Sequence, residues 1–280
     1  MQPWYTRMTN NVCREIGHIE KQVSCFFAAT SHAAEISNNV FFNMPRAAVN
    51  FNDDMAGGSR MLRNLIWNTC RESQDHGPFN SWGRIPYLFP FPNGTANGIK
   101  PYPDELAYNF IVAGGGANGG SFDHDDGSSF YLDHDNFEVY GGHKSDFDGH
   151  AKRSYNNIHA YSNVYGSKCV GIMNLPHDSP NNFFAEGYWN NRCVLAGTGD
   201  GYLDLGSPCA ADATLANRMI LGNNSIFSPG ASVTVSCGKS YSFAEWQALG
   251  VDSGTSVAEL PTADTIIGWA RVMLGIPAAA

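Results

Sequence analysis

Charge is scarce in this 280-residue chain. Only 15% of residues are charged, and 26 acidic residues outnumber 17 basic ones, for a net charge of −9. Nucleic-acid surfaces carry a basic patch or stripe, so this balance argues against a nucleic-acid partner. No run of 18 apolar residues occurs, and no membrane span is expected. The opening "MQPWYTRMTNNVCREIGHIE" lacks a basic stretch followed by an apolar one, so no signal peptide is read there. C-x-x-C is missing, as are H-E-x-x-H, G-x-S-x-G and the P-loop. "GGGANGG" at 114–120 lacks the Lys-Ser/Thr end of a phosphate cradle and reads as a turn. Helical periodicity is also missing until the last forty residues.

What is present is glycine (30 residues), aromatics (12%) and abundant Asn. That composition suits many short strands joined by turns. One pattern recurs, an Asn followed by a short apolar burst rich in strand formers. It begins at Asn11 ("NVCREI"), Asn39 ("NVFFNM"), Asn64 ("NLIWNT"), Asn109 ("NFIVAG"), Asn136 ("NFEVYG") and Asn157 ("NIHAYS"), with weaker copies at Asn191 and Asn217. The spacings of 28, 25, 45, 27, 21, 34 and 26 fall in the range of solenoid repeats. The fold expected is all-β, a right-handed parallel β-helix over 1–240 with a short helical C-terminal cap over 241–280. Asn at the same point of each coil would stack as a ladder. A leucine-rich horseshoe lacks its Leu framework here, and a propeller needs a longer period. Aligning the coils at Asn39 and Asn64 with a shift of 25 places Arg46 on Arg71 and Asn50 on Asp75. In the tail, Ser242 and Glu245 predict a capped helix in "SFAEWQALGVDSG", and "ADTIIGWARVMLGI" from Ala263 is helix-compatible.

Seven cysteines leave one unpaired. Cys169/Cys193 and Cys209/Cys237 are candidate disulfides if the chain is extracellular, and buried free thiols are the alternative. Asn93 and Asn223 begin glycosylation sequons. An odd cysteine count with no signal sequence suggests a missing N-terminus; an extracellular or cell-surface location and a monomer are expected.

The segments "NNVFFNMPRAAVNFNDD", "DHGPFNSWGR", "FDHDDGSSFY" and "SFAEWQALGVD" resemble those of right-handed β-helix proteins of the pectate-lyase-like superfamily. Within it, the loop "DHGPFNSWGR" is most similar to family-141-type glycoside hydrolases and their uncharacterised relatives. The resemblance implies a carbohydrate-active protein binding a polysaccharide or oligosaccharide. It does not assign a nucleophile or acid.

The residues themselves nominate a site. Acids one coil apart become neighbours: Asp54 with Asp75, Asp126 with Asp146, Asp125 with Asp148. Paired carboxylates roughly 5–9 Å apart are what glycoside hydrolysis uses. The expected catalytic residues are Asp75, His76, Asp125, Asp126 and Asp146; the expected substrate-binding residues are Arg71, Trp82, Arg84, His143 and Lys144. Phe79 and Tyr131 are further stacking candidates. Nine histidines suggest zinc, but no zinc motif supports it. No cofactor is expected, except that Ca²⁺ is an alternative at Asp123, Asp125 and Asp126. The competing readings are turn formation for Asp53-Asp54 and the DHDDGSS stretch, and a rigid Asp–Arg corner for the Asp75–Arg84 loop. A lyase or epimerase, with His76, Lys144 and Arg84 acting on a uronate, and a non-catalytic sugar-binding surface protein are the alternatives to a hydrolase.

Overall fold

The computed structural model describes residues 3–53, 57–73, 76–82, 102–113, 120–146, 149–176, 184–206, 209–212 and 214–277. Each coil supplies one short strand to each of three sheets, A, B and C in that order. The coils are β1 (Arg7–Thr9), β2 (Val12–Arg14), β3 (Phe26–Ala29); β4 (Glu35–Ser37), β5 (Val40–Phe42), β6 (Val49–Asn52); β7 (Arg60–Leu62), β8 (Leu65–Trp67), β9 (Phe79–Trp82); β10 (Asp104–Ala107), β11 (Phe110–Val112), β12 (Phe122–Asp125). They continue with β13 (Tyr131–His134), β14 (Phe137–Val139), β15 (His143–Ser145); β16 (Arg153–Tyr155), β17 (Ile158–Ala160), β18 (Lys168–Ile172); β19 (Glu186–Trp189), β20 (Arg192–Val194), β21 (Gly201–Asp204). The short helix α1 (Leu215–Arg218) precedes the last coil of β22 (Met219–Gly222), β23 (Ser225–Phe227) and β24 (Thr234–Cys237). Every third strand pairs in parallel, the topology of a parallel β-helix.

The corner between sheets A and B is what makes the repeat visible. A residue with positive φ turns the chain, and a ladder Asn follows it. Asn10, Asn38, Asn156, Asn190 and Asn223 take that conformation at low cost, as does Asp135. Arg63 and Tyr108 take it against their preference. The Asn39 backbone N–H and Nδ2 both donate to Asn64 Oδ1, at 3.0 and 2.9 Å, and the same pair of bonds runs from Asn64 to Asn109 and onward through Asn136 and Asn157. The ladder continues to Asn191 and ends at Asn224, whose N–H donates to Thr255 Oγ1. Its last rung is therefore Asn224, 33 residues after Asn191, and not Asn217, which lies in α1. The helix is an insertion that carries a false copy of the motif.

The corners between sheets B and C vary in length. The shift of 25 holds where Val40 faces Leu65, but in sheet C Asn50 faces Asn80, a shift of 30. The expected pairing of Asn50 with Asp75 is thus corrected: a longer corner absorbs five residues before β9. Three disulfides staple the chain, Cys169–Cys193 and Cys209–Cys237 as expected and also Cys13–Cys25 within the first coil; Cys70 is a buried free thiol.

After β24 the chain turns back as antiparallel β25 (Lys239–Ser242) and enters α2 (Phe243–Ala248), capped by the Ser242/Glu245 box. Trp246 of α2 is fully buried against the last coils. A ninth strand of sheet B, β26 (Ser256–Ala258), follows, then α3 (Ala263–Leu274). α3 covers the outer side of sheet B, with Ile266 and Ala270 on Phe137, Ile158 and Val194. No helix among the described residues is long and apolar enough to cross a membrane. Of the sequon residues, Asn223 is exposed and Asn93 lies outside the described residues.

The interior changes character along its axis. Phe41, Ile66, Met61, Leu106, Phe79 and Phe122 fill the second to fourth coils, and Tyr188, Leu203, Cys193 and Trp246 the last ones. Between these apolar clusters the buried residues include His124, Asp133, Glu138, His143, Lys152, His159 and Glu186.

Candidate functional site

Alternation along two neighbouring strands of sheet C builds the site. In β12, Phe122 and His124 face the interior, so Asp123 and Asp125 face outward. In β15, His143 and Ser145 align with Phe122 and His124, which sends Lys144 outward beside Asp123. The residue after β15, Asp146, falls opposite Asp125, its N–H donating to the His124 carbonyl at 2.8 Å. One strand earlier, Asn80 and Trp82 align with Asp123 and Asp125.

These outward residues form one polar row. Arg46 donates to Asn50 and, at 3.2 Å, to Asn80 Oδ1. Asn80 Nδ2 donates to Asp123 Oδ2 at 3.0 Å. Lys144 Nζ lies 2.9 Å from Asp123 Oδ1 and 3.0 Å from Asp146 Oδ2. His76 Nδ1 stands 3.7 Å from Asp123 Oδ2. Asp146 Oδ1 is buried and has no hydrogen-bond partner among the described residues.

The row splits its carboxylates electrostatically. Burial works to raise the Asp123 pKa, but His76 and Lys144 outweigh it and hold Asp123 below the ordinary value, ionised. Burial pushes Asp146 up to about 6; Lys144 opposes this, while Asp123 and Asp125 reinforce it. Burial and the Asp123 charge also raise Asp125. Burial opposes the Lys144 charge, but Asp123 and Asp146 win and raise its pKa, so it stays cationic.

The structure thus brings together His76, Trp82, Asp125, Lys144 and Asp146 of the nominated residues. Asp126 sits in the turn after β12 with φ 32°, its N–H bonded to Asp125 Oδ1 at 3.0 Å. Arg71 is exposed on the corner before β9. His143 differs from expectation: aligned with the inward Phe122, it points into the solenoid, away from the outer face on which Lys144 lies. Phe79 and Tyr131 are likewise core residues. Asp75, Arg84, Asp54 and Asp148 lie outside the described residues, as do residues 114–119 of the glycine-rich stretch.

Asp123 and Asn80 are central here; Asp123 was read only as part of the Ca²⁺ alternative, and Asn80 was not read as a site residue. Strict alternation counted from the buried Phe122 and Phe79 is the signal that finds them. For a cation, the geometry groups His76 with Asp123 and Asp125 rather than Asp126. Lys144 already places a positive charge against Asp123 in that group.

A second arrangement faces inward. Ser81 Oγ lies 2.8 Å from His124 Nδ1, and His124 Nε2 lies 2.7 Å from Asp133 Oδ2. Ser, His and Asp in sequence suggest a nucleophile relay, but all three are 0% exposed, and Ser81 is also bonded to Ser128. No substrate reaches it from outside.

Comparison with family models, with curated proteins and with solved structures gives no match to the chain.

Proposed function

We propose that the protein is a carbohydrate-active β-helix enzyme, a glycoside hydrolase that cleaves a polysaccharide on the outer face of sheet C, related to the pectate-lyase-like superfamily. The observation that supports the reading is the Lys144 clamp, which holds ionised Asp123 beside Asp146 while Asp125 stands across from Asp146 on the adjacent strand. Two carboxylates in unequal environments are the working parts of glycoside hydrolysis. Asp146 is the proton donor: its raised pKa keeps a proton on it in mildly acidic solution, and its Oδ1, unlike the Oδ2 beside Lys144, has no partner among the described residues. Asp125 is the second carboxylate. Adjacent strands lie roughly 4.8 Å apart at the backbone, which puts Asp125 and Asp146 within reach of one linkage; the anomer of the product decides between retention and inversion. Trp82, partly exposed beside Asp125, offers an apolar face for a sugar ring.

The lyase alternative is less well supported. It needs a positive charge available to a uronate carboxylate, and Lys144 is already held between Asp123 and Asp146. Three disulfides support an oxidising, extracellular setting. The test is cleavage of a panel of neutral and acidic oligosaccharides by wild type and by Asp146→Asn, with the anomer of the first product read by NMR. Hydrolysis that disappears in Asp146→Asn supports the assignment. Unsaturated products would favour the lyase, and binding without cleavage a non-catalytic role.

A further inference from the structure

The inward faces of β12, β13 and β15 carry a separate set of donors, independent of the reading of the outer face. Their hydrogen-bond inventory does not close. Ser128 Oγ lies 2.6 Å from the Asp125 carbonyl, a contact that uses its one hydroxyl proton. Ser81, 2.8 Å from Ser128 Oγ, must then donate to it. That leaves Ser81 Oγ as acceptor for His124 Nδ1–H, at 2.8 Å. A neutral His124 so oriented turns the lone pair of Nε2 toward Asp133 Oδ2 at 2.7 Å, two electron-rich atoms in contact. A positive centre has to lie between them.

His143 adds a second deficit. Its ring is 1% exposed, its Nδ1 stands 3.6 Å from the same Asp133 Oδ2, and neither ring nitrogen has a hydrogen-bond partner among the described residues. Asp133 Oδ1 and Ser145 Oγ, buried in the same stretch, also lack partners. Buried polar groups are rarely left this way. A proton on His124 would repair the first contact and leave the other atoms stranded. A metal ion bound by all three side chains repairs the contacts of His124 and His143 with Asp133 together.

We infer that His124 Nε2, Asp133 and His143 form a binding site for a divalent transition-metal ion, with zinc the best fit, enclosed within the solenoid. Two imidazoles and one carboxylate are a borderline-soft donor set, which suits zinc and its neighbours and not Ca²⁺ or Mg²⁺. The donor atoms lie within 4.8 Å of one another, so modest side-chain shifts that open the 2.7 Å His124–Asp133 contact and draw in His143 would set them round one ion. Ser81 supplies the orienting bond that ligating histidines commonly make through their other nitrogen. Ser145, aligned with His124, is placed to hydrogen-bond a metal-held water. The ligands are at most 1% exposed, so the ion is structural. It ties sheet A to sheet C at the level where the interior passes from one apolar cluster to the other. It also holds the two strands whose outer faces carry Asp123, Asp125 and Lys144.

The test refolds the full chain, disulfides intact, from denaturant with zinc chloride, then dialyses it against chelator. Zinc content and thermal midpoint are measured for wild type, His143→Gln and His76→Gln. Wild type and His76→Gln should each retain about one zinc per chain. His143→Gln should lose at least about nine-tenths of it, and zinc should raise the melting temperature of wild type but not of His143→Gln. Loss of zinc from His76→Gln with retention in His143→Gln would move the metal to the outer face and overturn the assignment. Wild type that retains no zinc would overturn it as well. Should His143→Gln not fold, cobalt(II) bound to wild type gives the answer directly: a visible spectrum of low-coordinate nitrogen and oxygen ligation is expected, and the spectrum of the hydrated ion contradicts the site.

Discussion

Replacing Asn109 by Ala removes one rung from the middle of the ladder. The Asn64 N–H loses its acceptor 2.9 Å away, and Asn64 Nδ2 loses one of its two acceptors while keeping the Ile36 carbonyl. The Met61 carbonyl loses the Asn109 Nδ2 donor, whereas Asn136 Oδ1 keeps the Asn109 backbone N–H. Asn64 and Asn109 are at most 2% exposed, so water cannot step in. One fully stranded donor costs about 1–3 kcal/mol, and the two partial losses add to it, for about 2–4 kcal/mol in total. That is a large share of the ~5–15 kcal/mol that holds a domain together. Urea unfolding followed by tryptophan fluorescence measures it, with Asn68→Ala as control. Asn68 donates to Asn43 on the exposed surface and takes φ 51°, which Ala adopts less easily, so this control should cost about 1 kcal/mol. If Asn109→Ala matched that control, the ladder would be a consequence of the fold and not a support for it.

The pH dependence of hydrolysis follows from Asp146. Its folded pKa is raised to about 6, so the protonated form is present below that value; Lys144, Asp123 and Asp125 are the charges that act on it. Activity should fall as pH rises through about 6, a limb visible in kcat against pH and missing from the residual activity of Asp146→Asn. Trp82→Ala should raise KM several-fold with a smaller effect on kcat if the ring holds a sugar, as initial rates would show. Burial pushes the Cys70 thiol up to about 12, so thiol reagents should find essentially no reactive group in the native protein and about one per chain after unfolding without reductant. Ile266→Asp, placing a charge between α3 and sheet B, should lower stability by about 3 kcal/mol or more and is checked by thermal unfolding.

The architecture was legible because one corner is nearly invariant. A turn residue and a ladder Asn separate sheet A from sheet B in every coil, so the Asn spacing measured the coils directly. It failed at Asn217, where α1 mimics the motif, and succeeded again at Asn224, whose preceding Asn223 carries the positive φ. Register in sheet C was not legible, because the corner before it changes length and Asp146 meets Asp125 rather than the expected Asp126. Cys13–Cys25 escaped because its partners lie only 12 residues apart within a single coil. His143 was grouped with the outward Lys144 although alternation separates neighbours onto opposite faces. The same alternation explains why a buried His–Asp–His cluster and an outer carboxylate row share two strands.

Crystals soaked with a mixture of neutral and acidic oligosaccharides test the central claim most directly. The account predicts a sugar seated beside Trp82, its scissile linkage between Asp125 and Asp146 and its glycosidic bond cut. An intact sugar at that place, or an outer face left empty across the panel, would contradict it.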